Sequence, residues 1–126
     1  MNVNIRGIDF AVELPTFGLR EELVFAWSES SKAQNNTAIL RVYSAALALC
    51  VPEITRSTRA NRAAAVRDLH SFGEGIYSDL RERQKWEIAD IIAGGQSLLE
   101  QIAGELWPSK DDVEAAAKNS EAGAPA

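Results

Sequence analysis

The segment from Thr37 to Val51, TAILRVYSAALALCV, constrains this chain more than any other. Ile39, Val42, Tyr43, Ala46, Leu47 and Cys50 recur at helical spacing, and from Ala45 onward the pattern is apolar nearly all round. A helix of that kind has no face to give to water, so other elements must surround it. Pro52 ends it. A chain of 126 residues with 46% hydrophobic content has room for one such core. The expectation is therefore a mainly α protein, a small helical bundle in a single domain over residues 1–108, without space for a second, catalytic domain.

The N-terminal residues 2–14 read differently. Val3 and Ile5, then Ile8, Phe10, Val12 and Leu14, alternate with polar residues, and Arg6-Gly7 stands between the two runs. Pairing Ile5 with Ile8 places Val3 opposite Phe10 and Asn4 opposite Asp9, so one face of a two-stranded hairpin is wholly apolar. Gly7 supplies the positive φ that such a turn needs. A lone ribbon is marginal in water, so its apolar face is expected to lie on a helix or to join another chain's sheet.

After Pro15, Thr16 is placed to cap a helix carrying Leu19, Leu23 and Trp27, with Arg20, Glu21 and Glu22 turned outward. Ser28 to Asn36 reads as a loop. Beyond Pro52 a polar linker leads to an Ala-rich helix, Ser57 to His70, with Val66 and Leu69 inward and Gly73 and Gly75 marking its end. A short helix over Ile76–Arg83 follows. The pair Gly94-Gly95 then divides a helix over Trp86–Ala93 from one over Gln96–Trp107, stopped by Pro108. Residues 109–126 carry no large apolar side chain beyond Val113 and are expected to be a disordered, acidic, Ala-rich tail.

Charge and composition exclude several classes. The formal charge is −5 and the acidic excess is spread along the chain, so nothing draws it globally to nucleic acid or to an anionic membrane. Cys50 is the sole cysteine, which rules out an intrachain disulfide framework. The N-terminus has neither a basic leader nor an apolar h-region, and the longest apolar run, Ala45–Val51, is far short of the ~20 residues a bilayer span requires. A soluble protein of an intracellular compartment is the expectation.

Candidate chemistry is sparse. His70 is the lone histidine and has no second histidine or cysteine at ligand spacing, so no metal or cofactor site is expected. Asp68, His70 and Ser71 include the residue types of a triad, but within one helical turn their side chains diverge instead of forming a relay. Gly73-Glu74-Gly75 lacks the strand and the further glycine or lysine of a phosphate loop. Arg56, Arg59, Arg62 and Arg67 form a local basic run, read here as the solvated face of a helix more than a phosphate contact. The helix pair around Gly94-Gly95 has the outline of a helix-turn-helix DNA reader. Its second helix, however, offers Glu100 and Glu105 and no Lys or Arg where phosphates would lie. An enzyme is not expected, nor is a small-molecule substrate.

The hairpin NVNIRGIDFAVELP, together with GIYSDLRERQKWEIADIIAGGQSLLEQIAGELWP and the polar tail, resembles the small tail assembly chaperones of long-tailed bacteriophages and prophages. The resemblance rests on the Gly75–Leu80 element, Arg81-Glu82-Arg83, the Ile88–Gly95 segment and the Leu98–Pro108 helix with its aromatic-Pro ending; Ser30–Ala65 does not contribute. It implies a non-enzymatic, mostly helical protein of the bacterial host cytoplasm. Such a protein binds the tape-measure protein and other tail proteins and keeps the former soluble during tail assembly. It further implies a homo-oligomer, absence from the mature virion, and often a frameshifted longer form. A structural head–tail connector or tail completion protein, or a helix-turn-helix-like DNA-binding regulator, are the alternatives. Apolar surface for a partner is expected on the hairpin, at Val3, Ile5, Ile8 and Phe10, and on the tryptophan-bearing helices, at Trp86 and Trp107.

Overall fold

The computed structural model describes residues 1–106. Within them the chain runs β1 (Asn2–Ile5), β2 (Ile8–Ala11), α1 (Phe17–Lys32), α2 (Asn36–Cys50), α3 (Pro52–Thr58), α4 (Arg62–Arg67) and α5 (Leu69–Ser78), then a π-helical turn (Asp79–Arg83) and α6 (Ile88–Leu106). The fold is thus a helical bundle with an N-terminal two-stranded antiparallel sheet. Trp107 and the expected tail, 109–126, lie outside the described residues. Among the described residues no single helix is long and apolar enough to cross a membrane.

Helix α2 is the centre of the bundle, as its composition demands. Every residue from Val42 to Cys50 is buried, and α1, α3, α5 and α6 all pack on it. Asn35 caps its start, accepting a hydrogen bond from the Ala38 backbone N–H at 3.1 Å. Ser44, buried on this helix, donates to the Leu40 carbonyl, so its own hydroxyl is paired. At Val51 the chain turns by 107° into α3, which begins on Pro52. Thr55 stabilises this corner by donating its hydroxyl to the Ala48 carbonyl, which Pro52 has no N–H to satisfy, while its backbone N–H donates to the Val51 carbonyl.

The hairpin adopts the expected register, with Ile5 opposite Ile8, Asn4 opposite Asp9 and Val3 opposite Phe10. Arg6 and Gly7 both have positive φ, 59° and 78°, the geometry of a two-residue turn that follows the twist of the strands. Its apolar face meets α6, and Val3 and Ile5 are buried there. The turn is tethered as well: Arg6 pairs with Asp90 at 3.5 Å and lies over the Trp86 ring, 5.8 Å from its centroid. At the other end the Glu13 N–H donates to the Cys50 carbonyl, pinning the outgoing chain to the end of α2.

Several boundaries differ from those the sequence suggests. Gly94 and Gly95 do not divide two helices; they lie inside one continuous α6, on its buried face. A Cβ on Gly94 would stand 2.7 Å from Ile5 Cδ1 and 3.1 Å from Leu47 Cδ2, and one on Gly95 would stand 2.8 Å from Tyr43 Cα. These glycines therefore let the hairpin and α2 approach the α6 backbone. The helix-turn-helix outline disappears with the turn.

Gly73 likewise sits inside α5 instead of ending a helix, and a Cβ there would strike the Arg41 backbone carbonyl. The single helix expected over Ser57–His70 is broken twice, at Arg59, which is left-handed with φ 53°, and at Asp68. Those breaks reset the helical phase, so Ala65 is buried and Val66 points to solvent. Helix α1 runs through the expected loop as far as Lys32. Thr16 occupies its N-cap without a side-chain hydrogen bond, and Arg20 is half-buried, reaching Glu105 of α6 at 3.4 Å.

Candidate functional site

Of the six residues expected to meet a partner, three are committed to the domain itself. Val3 and Ile5 close over α6, and Trp86 is buried beneath the Arg6 turn, its backbone N–H donating to the Leu80 carbonyl at 2.8 Å. Trp86 precedes α6 instead of belonging to it. Phe10 is half-buried, while Ile8 stays exposed at the lip of a hollow of about 210 Å³ between the hairpin, α3 and Trp86. Trp107 lies outside the described residues. The wholly apolar hairpin face is thus divided, its β1 half spent on the core and its β2 half near the surface.

Asp68, Ser71, Cys50 and Asp79 are engaged in the fold itself. Asp68 is the N-cap of α5: its carboxylate accepts from the Ser71 N–H at 3.1 Å and from Ser71 Oγ at 2.8 Å. Those two hydrogen bonds hold its pKa below the usual carboxylate value. His70 is exposed in the same first turn, and its imidazole takes no part in those hydrogen bonds. Cys50 is sealed in the core, and burial pushes its thiol up to about 12 even though Arg62 and Arg20 pull the other way. A thiol held neutral in this way is a hydrophobe, not a nucleophile. Asp79 in the π-helical turn is held below its usual range by the Arg83 guanidinium, 2.7 Å away. Among the described residues no three His, Cys, Asp or Glu side chains gather in a way that could hold a metal ion.

What the packing does create is an apolar groove. Gly95 admits Tyr43 against the α6 backbone, and the N-terminal halves of α2 and α6 then lie side by side with a trough of about 460 Å³ between them. Asn36, Ile39, Leu40 and Tyr43, one helical stripe of α2, form one wall, and Ile88 and Ile92, one turn apart on α6, form the other. Ile88 and Ile92 are 39% and 38% exposed, a large solvent share for isoleucines that face an apolar neighbour. The Tyr43 hydroxyl is occupied below by the Trp27 indole N–H at 3.3 Å, so the ring offers its apolar body to the trough. Asn36 is the one polar side chain in the lining.

This arrangement lacks the few converging polar groups that orient a small molecule. It matches the receptor side of helix-in-groove recognition, in which an amphipathic helix lays an i, i+3, i+4, i+7 stripe into a hydrophobic channel. Sequence reading placed Ile39 in the core stripe and Ile88 on a helix but did not bring them together. Their convergence depends on the close approach at Gly95, where the sequence pattern suggests a turn. No protein-family model, no curated protein and no solved structure matches the chain.

Proposed function

We propose that this chain is a non-enzymatic helix-binding protein, and that it acts as a phage tail assembly chaperone whose α2–α6 groove holds an apolar helical segment of the tape-measure protein. The observation that carries the reading is the groove itself, an uncharged, largely apolar trough between two helices with two isoleucines left open to water. The resemblance of the hairpin and of Gly75–Pro108 to tail assembly chaperones supplies the partner, and a bacterial cytoplasmic location follows from that role.

Magnitudes indicate how such a groove is used. Covering the exposed two-fifths of Ile88 or Ile92 contributes on the order of 1 kcal/mol each, so one groove yields only a few kcal/mol. Association costs at least roughly 4 kcal/mol in lost freedom. A single contact is therefore weak and exchanging, which suits a holding protein that must later release its client. Tight coating needs many copies along one client.

Co-expression with the tape-measure protein tests the reading. The wild-type chain is expected to raise that protein's solubility and to co-purify with it. The I88E/I92E variant, altered only at partly exposed positions, keeps its fold and loses both effects. An unchanged client yield with the variant would remove the groove from the mechanism. Stoichiometric retention of the chain in purified particles would make it a connector instead of a chaperone.

A further inference from the structure

We propose that the acidic run Asp111–Glu114 of this chain's own C-terminal segment docks on the face formed by Arg56, Arg59, Arg62 and Arg67, and so closes that face to external polyanions. The inference is independent of the α2–α6 groove and uses none of its residues. In a chain of net charge −5, these arginines fall in a stretch, Ile54 to Arg67, that holds no carboxylate. All four are exposed, on α3, on α4 and at the joint between them. Among the described residues none of the four has a carboxylate within 4.0 Å.

Carboxylates on the neighbouring elements are committed elsewhere. Asp68 caps α5 through Ser71. Asp79 is held at 2.7 Å by Arg83, takes a further hydrogen bond from Gln84, and only then feels the charge of Arg59. Glu53, in the first turn of α3, stands beyond ion-pair distance of Arg56. The face therefore keeps a net positive field, and an anionic segment is what it accepts.

The place where α6 ends identifies that segment. Glu105, in the last turn of α6, pairs with Arg20 of α1 at 3.4 Å. Burial dominates the Cys50 thiol, and Arg62 and Arg20 both pull against it. Charges much more than about 10 Å apart are largely screened from one another, so the end of α6 and the first arginine of α4 lie in one region around Cys50. Beyond Leu106 the sequence runs Trp-Pro-Ser-Lys into Asp111-Asp112-Val113-Glu114, which is dense in carboxylates. At about 3.3–3.6 Å per residue, an extended chain carries Asp111 up to about 17 Å from Leu106 and Glu114 up to about 27 Å. That reach is comparable to the diameter of a domain of this size, whose radius of gyration is about 13 Å. The apolar residues correspond too: Val113 lies inside the acidic run, and Val66, 62% exposed, lies between Arg62 and Arg67.

Exposed ion pairs are individually weak, but tethering makes their encounter intramolecular, at a millimolar effective concentration. A polyanion or another copy's tail present below that concentration has to displace the tethered run before it can bind. The contact asks only for charge and reach, so it opens and closes readily and weakens with salt.

The test uses the full chain with Ala116→Cys, carrying a nitroxide at that position; native Cys50 is sealed in the core and stays unlabelled. At roughly 0.05 M salt the backbone amide resonances of residues 56–67 are expected to broaden selectively, and at roughly 1 M salt to recover. D111N/D112N/E114Q and R56E/R62E/R67E each remove the broadening, and R56E/R62E/R67E combined with D111K/D112K/E114K restores it. The second readout is binding of a fluorescent DNA duplex at low salt. D111N/D112N/E114Q is expected to bind at least about tenfold more tightly than the wild type, since a face open one-tenth of the time binds about tenfold more weakly. Adding R56E/R62E/R67E abolishes that binding. E21Q/E22Q/E29Q, which removes the same charge from α1, is expected to stay within about twofold of the wild type. I88E/I92E is expected to show the wild-type broadening, which separates this proposal from the groove reading. Broadening that is absent, spread evenly over the bundle, or passed to unlabelled copies in an equimolar mixture would overturn the intramolecular contact. So would a wild type that binds the duplex as tightly as D111N/D112N/E114Q, or an equal gain in E21Q/E22Q/E29Q.

Discussion

Replacing Gly95 by alanine should destabilise this protein even though alanine is the better helix former. The added Cβ would stand 2.6 Å from Tyr43 Cγ and 2.8 Å from Tyr43 Cα. Apolar carbons settle at roughly 3.5–4.0 Å, so Tyr43 must withdraw by on the order of 1 Å. Because Cα belongs to the backbone, no change of rotamer relieves the overlap, and α2 itself has to move away from α6. That opens the seam held by Ile91, Leu98, Leu99 and Ile102, all fully buried. Overpacking of this kind costs about 1–3 kcal/mol, and the loosened seam adds to it. Against it stands about 1 kcal/mol of helix propensity gained. A net loss of about 2 kcal/mol is expected, which lowers Tm by roughly 10 °C in a domain of this size. Gly104 on the same helix is the control, since its Cβ would meet nothing within 4 Å. There the same change should raise stability by about 0.5–1 kcal/mol. Thermal and urea unfolding followed by far-UV circular dichroism measure both. A Gly95→Ala variant with a Tm equal to or above the wild type would refute the close approach of α2 and α6, and the groove built on it.

Leu47→Ala removes a fully buried side chain at the centre of the bundle and should cost about 2–5 kcal/mol by urea titration. Asn35→Ala deletes the side-chain cap of α2 and should cost about 1 kcal/mol, whereas Thr16→Ala, which loses no side-chain cap bond, should be close to neutral. Native Cys50 should resist thiol reagents at pH 8 and react fully once the chain is unfolded, because its thiol is raised to about 12. Asp68 and Asp79 have folded pKa values below their unfolded value of 3.8, so their stabilisation is present above about pH 4 and is lost as pH falls through the folded values. Asp79→Asn should therefore flatten the fall in urea midpoint between about pH 5 and pH 3; an unchanged fall would show that the Arg83 pair contributes nothing.

Two elements were legible from the sequence because their signals are local. The hairpin register follows from alternation plus one turn glycine, and the burial of α2 follows from the lack of any polar face. Gly94-Gly95 was not legible by the same means, because a glycine marks both a helix end and a close helix contact. The signal that distinguishes the two is phase: Ile91, Gly95, Leu98 and Ile102 keep a spacing of four, three and four straight through the glycines, which a turn would have broken. Val66 was misplaced for the opposite reason, since Arg59 and Asp68 interrupt what composition presents as one Ala-rich helix. The groove could not be found at all without tertiary structure, because Ile39 and Ile92 belong to helices far apart in sequence and share a site only through Tyr43 and Gly95.

The seating of Ile5 against Gly94 has a consequence for synthesis on the ribosome. The hairpin is made early, yet its partner helix follows about 90 residues later, roughly 5–20 s at usual translation speeds. During that interval Val3 and Ile5 have no α6 to cover them, and a free two-stranded ribbon is marginal in water. The final native contacts of this domain are therefore made after α6 has emerged, and the newborn chain passes through a stage in which its hairpin is an unprotected apolar segment.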